Sequence, residues 1–290
     1  MIQRDLLRCS ACAAEYPRVA GVWRMLPGDR MAYYRDFIQD YETIRQAEGR
    51  GSDAAAYYRA LPYTDLSGRR IGEWAIRRRS FEALIENVII PRENRANRPL
   101  RILDLGAGNG WLSYRLSQRG HILAAVDLLT NPLDGLGAHV HYESRFTPIQ
   151  AEFDHLPLAD EQAELVIYNS SLHYSVDYLA TLMEALRVLV RSGQIVVIDT
   201  PIYRAAESGA AMVRERHEQF KRQYGFASDS LPSENYLTFE RLQELDAALG
   251  MAWKIITPYY GLRWALRPWL AFLRGRREPA RFALIIGRRR

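Results

Sequence analysis

Residues 100 to 118 constrain the fold more than any other stretch of the chain. Leu100, Ile102, Leu103 and Leu105 form a compact apolar run suited to a buried parallel strand. Three alternating glycines follow, Gly106, Gly108 and Gly110, which let the backbone turn sharply and approach a ligand closely. Trp111 to Gln118 then reads as a helix. A strand, a Gly-rich turn and a helix at this spacing make the first half of a βαβ unit, whose ligand lies beyond the carboxyl ends of the strands. A dinucleotide fingerprint GxGxxG would need its third glycine one position later, where Trp111 stands instead.

A second apolar strand, Ile122 to Val126, ends at Asp127, 23 residues after Asp104. A carboxylate at that tip accepts hydrogen bonds from ribose hydroxyls, so it indicates a nucleoside without choosing which. The pattern Asp104-x-Gly106-x-Gly108-x-Gly110 resembles motif I of the class I S-adenosylmethionine (SAM) dependent methyltransferases. An acid such as Asp104 is tolerable beside a cationic sulfonium ligand and would repel a phosphate. Residues 149 to 174, IQAEFDHLPLADEQAELVIYNSSLHY, are similar to the adenine-contact and fourth-strand segments of the ubiquinone-biosynthesis-like branch of that family.

The resemblance implies an α/β fold, a Rossmann-like doubly wound sheet of seven mostly parallel strands with the last antiparallel, and SAM as cofactor. It assigns cofactor contacts to Asp104, Gly106, Gly108, Gly110, Asp127, Glu152, Phe153 and Asn169, with Glu152 accepting from the adenine amino group where the family more often has Asp. Asn169-Ser170-Ser171-Leu172-His173-Tyr174 leaves the fourth strand at the edge where methyl donor and acceptor should meet. His173 is the expected general base, should the acceptor need one. Its plainer role is to close the donor site or to hydrogen-bond Asn169.

The flanks divide into a short CxxC knuckle (1–28), a helical lid (29–98) and the SAM-binding domain (99–290). The lid is rich in aromatics, among them Tyr33, Tyr34, Phe37, Tyr41 and Trp74, with Tyr58, Tyr63 and Arg69 as candidate SAM contacts. Cys9 and Cys12 resemble half of a zinc ribbon, and with no second pair or nearby histidine the expectation is a remnant without metal. A helix over Tyr178 to Val190, a turn at Arg191-Ser192-Gly193 and a strand over Gln194 to Ile198 continue the domain, ending at Asp199-Thr200-Pro201. Strands near Trp253–Thr257 and Phe282–Ile286 complete it, and the 201–235 insertion together with the lid is expected to contact the acceptor.

The net charge of +5 is concentrated, because the last thirty residues hold nine arginines against Glu278 and the remainder is net negative. That distribution is a weak footprint for nucleic acid, which favours basic charge around a cleft. Leu262 to Leu273 interleaves Trp264, Leu266, Trp269 and Phe272 with Arg263, Arg267 and Arg274. It reads as a basic amphipathic helix that packs its aromatics over the sheet or substrate pocket, with peripheral contact to an anionic membrane as the alternative. No apolar run approaches the roughly 18 residues of a membrane span, and the amino terminus lacks a signal-peptide stretch, so a cytoplasmic location is expected. The expected activity is methyl transfer by in-line displacement to a small-molecule acceptor at O, N or C. The rivals are an RNA or protein methyltransferase and a SAM-binding partner protein without turnover.

Overall fold

In the computed structural model, which describes residues 5–10, 12–143 and 145–290, the apolar runs read from the sequence become the centre of one sheet. The first strands are β1 (Leu6–Arg8), β2 (Glu15–Val19) and β3 (Val22–Arg24). Helices α1 (Gly28–Ala47), α2 (Ala55–Ala60) and α3 (Ile71–Leu84) follow, and α3 passes through a π turn into α4 (Ile90–Ala96). The alternating centre comprises β4 (Arg101–Leu105), α5 (Trp111–Ser117), β5 (Ile122–Asp127), β6 (Thr147–Gln150), β7 (Ala163–Asn169), α6 (Tyr178–Val188) and β8 (Leu189–Ile198). Then come β9 (Ile202–Tyr203), α7 (Ala206–Tyr224), β10 (Leu237–Thr238), α8 (Phe239–Leu249), β11 (Met251–Ile256), α9 (Leu262–Ala265), α10 (Arg267–Leu273) and β12 (Leu284–Arg289).

The sheet runs β1-β2-β3-β6-β5-β4-β7-β8-β12-β11. The order from β6 to β11 is the expected seven-stranded doubly wound core, with β12 inserted antiparallel between β8 and β11. The count is ten rather than seven, because the expected knuckle is an antiparallel meander whose last strand, β3, pairs in parallel with β6. Cys9 is half-buried and Cys12 exposed, and among the described residues no group of three or more His, Cys, Asp or Glu side chains could hold a metal ion.

Burial follows the strand period of two. Ile102 and Ile167 face a layer built by Trp74, Phe81 and Leu112, whereas Leu103 and Tyr168 face Leu182 and Leu242 on the other side. β7 is buried at all seven positions, as a central parallel strand covered on both faces must be. Asp177 caps α6 by accepting from the backbone N–H groups of Leu179 and Ala180. The expected turn at 191–193 lies instead inside β8, where a register shift against β7 between Ala163 and Leu165 accommodates it.

The expected single helix over 262–273 is two short ones. Pro268 has no N–H to continue the ladder and stands in the first turn of α10. Trp264 packs inward, stacked on Phe282 with ring centroids 5.5 Å apart. Leu262, Leu266, Trp269, Phe272 and Leu273 do not cover the sheet or a pocket; all five are exposed.

Candidate functional site

The carboxyl ends of β4 and β5 build the site from backbone upward. Gly106 and Ala107 donate their N–H groups to the Val126 carbonyl at 2.8 and 3.1 Å, bending the chain across the tip of β5. Gly106 adopts φ +73°, and a Cβ there would lie 2.2 Å from that of Ser171, so this crossing of the β4 and β7 exits requires glycine. Ser171 Oγ in turn donates to the Leu105 carbonyl at 2.5 Å, locking the two strand exits together. At Gly108, also left-handed, an added Cβ would meet little, because that position borders a cavity.

Asp127 organises the loop. Its Oδ2 accepts from Gly108 N–H at 2.7 Å and its Oδ1 from Leu129 N–H at 2.8 Å, which leaves each oxygen further accepting capacity. Burial pushes its pKa up to about 6, against the opposing pull of these backbone donors. Asp104 lies deeper, fully buried, with Oδ2 accepting from Ser113 Oγ at 2.8 Å and Oδ1 unpartnered. Burial raises its pKa to about 7, opposed by Ser113 and reinforced by Asp127.

Beyond this edge is a cavity of about 290 Å³ roofed by α1. Tyr34, Phe37 and Tyr41 line it from successive turns of that helix, and Tyr174 closes on Phe37 and Tyr41 with ring centroids 5.9 and 5.8 Å away. Both ends of the roof are tied to acids. Arg30 grips Glu152 with Nε 2.8 Å from Oε1 and Nη2 2.5 Å from Oε2, and Tyr34 OH donates to the same Oε2 at 2.8 Å. At the far end Arg45 pairs with Asp134. Arg50, Trp74 and Arg77 form another part of the wall, where Glu73 holds both arginines and is itself kept well below the usual carboxylate range by them despite its burial.

Of the residues expected from the sequence, Gly106, Gly108, Asp127, Glu152, Phe153 and Asn169 line this one cavity. Asn169 presents a buried Oδ1 without a protein partner. Asp104 and Gly110 do not line it. Asp104 sits beneath the loop on Ser113, and Gly110 precedes α5 packed against Phe146. His173, the expected general base, does not line it either. The short turn Leu172–Tyr174 sends Tyr174 to the cavity and His173 into the protein, and burial, with Arg216 and Arg77 near, drops its pKa to about 3. Such an imidazole is a poor base at neutral pH.

The candidate lid contacts also move. Tyr58 is fully buried with its OH donating to the Leu133 carbonyl, Tyr63 is exposed, and Arg69 reaches the Gly49 carbonyl. The cavity is lined instead by Tyr34, Phe37, Tyr41 and Arg45, whose spacing of three and four on one helix was the available signal. From the 201–235 insertion, Leu231 reaches the cavity.

Comparison with known proteins gives this arrangement a class. Residues 103–197 match the family model described as a methyltransferase domain. Over these residues the chain is similar to a methyltransferase domain. Over 95 residues it is 34% identical to an uncharacterized methyltransferase of Mycobacterium tuberculosis, covering 33% of this chain and 37% of that protein. Over 134 residues it is 31% identical to a malonyl-[acyl-carrier protein] O-methyltransferase of Halorhodospira halophila, covering 45% of this chain and 44% of that one. The chain thus spans less than half the length of these curated relatives. A Burkholderia thailandensis 1,6-didemethyltoxoflavin-N1-methyltransferase, solved with its substrate and S-adenosylhomocysteine, shares the fold: TM-score 0.51 at 15% identity, covering 98% of this chain and 99% of that one.

Proposed function

We propose that this chain transfers a methyl group from SAM to a small-molecule acceptor by in-line displacement. The observation that carries this reading is the roofed cavity, because α1 covers the carboxyl edge of the sheet and leaves room for compact molecules. Asp127 would accept from the ribose hydroxyls on the two oxygens already oriented by Gly108 and Leu129. Glu152 would receive the adenine amino group on Oε1, which accepts from Arg30 Nε alone, whereas Oε2 accepts from both Arg30 and Tyr34. Phe153, Leu128 and Leu129 supply apolar surface for the base, and the unpartnered Asn169 Oδ1 supports a polar ligand group at the β7 exit. Asp104 would act from below, holding α5 and the glycine loop in place through Ser113.

Bound there, SAM supplies an electrophilic methyl on a cationic sulfur. Tyr34, Phe37, Tyr41 and Tyr174 exclude water from that position, and Trp74, Arg77 and Ser170 border the space left for the acceptor. Displacement at a sulfonium methyl asks chiefly for alignment, which a cavity walled by these side chains would provide. The names of the two relatives, a malonyl thioester on a carrier protein and a toxoflavin precursor, support an acceptor of modest size.

Calorimetric titration with SAM and NADH, followed by assay of S-adenosylhomocysteine release over carboxylic-acid, thioester and heteroaromatic acceptors, tests the proposal. SAM binding without NADH binding, and release with a small acceptor, are expected. Preference for NADH would overturn the cofactor site, and release with RNA or protein alone would overturn the acceptor class.

A further inference from the structure

The sequence places aromatics and arginines together in 262–273, and the structure leaves that combination facing outward. Leu266, Trp269, Phe272 and Leu273 recur at helical spacing, and their exposures of 52, 60, 81 and 59% leave a large apolar face uncovered. Arginines flank these residues in the sequence. Arg263, Arg274 and Arg276 are exposed and have no acidic partner among the described residues. Behind α10 an open groove is lined by Arg267, Arg274, Arg276 and Arg277 with Glu215 the acid present, and Glu215 is engaged by Arg277 at 2.7 Å. Arg267 is braced over the Trp264 ring at 3.8 Å, so one side of that groove is held in place by an inward-packed residue.

We propose that α9 and α10 dock on an anionic lipid surface, with Trp269 and Phe272 entering the interface and Arg263, Arg274 and Arg276 meeting phosphate headgroups. Exposed tryptophan, phenylalanine and leucine beside unpaired arginines is the composition of an interfacial helix. A second copy of this chain fits worse. A two-fold contact through this face would set its arginines against their own equivalents, with Glu215 already committed. No helix among the described residues is long and apolar enough to cross a membrane, so contact would be peripheral.

Co-sedimentation of the full chain with vesicles of phosphatidylcholine, with and without phosphatidylglycerol, tests the proposal. Binding to the anionic vesicles that weakens as salt rises is expected, with little binding to phosphatidylcholine alone. Arg274→Gln with Arg276→Gln should weaken binding about 25-fold, at roughly fivefold per arginine. Trp269→Ser with Phe272→Ser should reduce it at least as much while leaving the thermal melting temperature unchanged, since both side chains are exposed. Absence of binding to anionic vesicles at low salt would overturn the proposal, and so would equal binding by either double variant. Sedimentation velocity provides the remaining outcome, because a dimer dissolved by Trp269→Ser with Phe272→Ser, without vesicle binding, would assign the face to a second copy.

Discussion

Replacing Asp127 by Asn tests the donor site at its most constrained atom pair. In the wild type each carboxylate oxygen accepts one backbone N–H, from Gly108 at 2.7 Å and from Leu129 at 2.8 Å, and keeps capacity for a ribose hydroxyl. An amide offers one acceptor oxygen, so its NH2 group must face one of those two N–H donors. Hydrogen bonds to a charged group contribute about 1.5–3 kcal/mol each, and the amide oxygen can still accept one hydroxyl, so loss of the other costs at least about 1.5 kcal/mol, more than about tenfold in Kd. The pH profile supplies an independent check. With the pKa raised to about 6, only the ionised form can accept from both hydroxyls, so wild-type affinity for SAM should fall about tenfold between about pH 7.5 and about pH 5.

Stability of the ligand-free protein should move in the opposite sense. A carboxyl whose folded pKa lies above its unfolded value of 3.8 is costly when ionised, so the penalty is full above about pH 6 and is relieved as pH falls toward the unfolded value. Because other carboxyls titrate in the same range, the readout is the difference between wild type and Asp127→Asn, by calorimetric titration for affinity and thermal melts for stability. An Asn variant binding within about threefold of wild type at neutral pH, or a wild-type affinity indifferent to acidification, would refute the reasoning.

Two further substitutions bear on the loop and the lid. Gly106→Ala should destabilise by about 2–5 kcal/mol, combining the left-handed backbone cost with overpacking against Ser171. Gly120→Ala, with similar φ and open surroundings, should show the backbone part alone, and equal melting temperatures for the two variants would dismiss the clash. Arg30→Ala leaves the buried Glu152 carboxylate without its cation and frees one end of α1, so it should lower the melting temperature and weaken SAM binding about tenfold. Unchanged affinity by titration would separate the lid from donor recognition.

What the sequence revealed and what it concealed follow from where each residue gets its constraint. β4, β5, β7 and the second half of β8 carry short apolar runs, such as Leu165 to Tyr168 and Ile195 to Ile198, followed by polar residues or glycine at one edge, so their existence, order and ligand-facing tips could be read directly. Gly106 was legible from the glycine spacing of its turn, although the approach of Ser171 that also demands glycine was not. The lid was not. Tyr33 and Tyr34 are adjacent and chemically alike, yet one is half exposed and the other is buried on Glu152, a distinction set only when α1 docks. His173 was hidden for a related reason: a three-residue turn decides between His173 and Tyr174 as the cavity residue, and Arg77 and Arg216, which help burial lower its pKa, are distant in sequence. The exposure of Trp269 and Phe272 likewise depends on Pro268 splitting a periodic stretch into two helices.

The residues hidden from the sequence share a function that the visible ones lack. Asp127 and the glycine loop form a fixed half-site on the sheet, whereas Arg30, Tyr34 and Arg45 belong to one helix and attach to Glu152 and Asp134, acids in the segments after β6 and β5. The acids that border the donor cavity are therefore also the anchors of its roof. Moving α1 off the sheet would separate two charge pairs whose acid members are nearly inaccessible to solvent. Because both Glu152 oxygens already accept from α1, donor recognition and the hold on that helix would draw on one carboxylate. A donor that bridges Glu152 and Asp127 would therefore bear on the same contacts that hold α1 over the cavity.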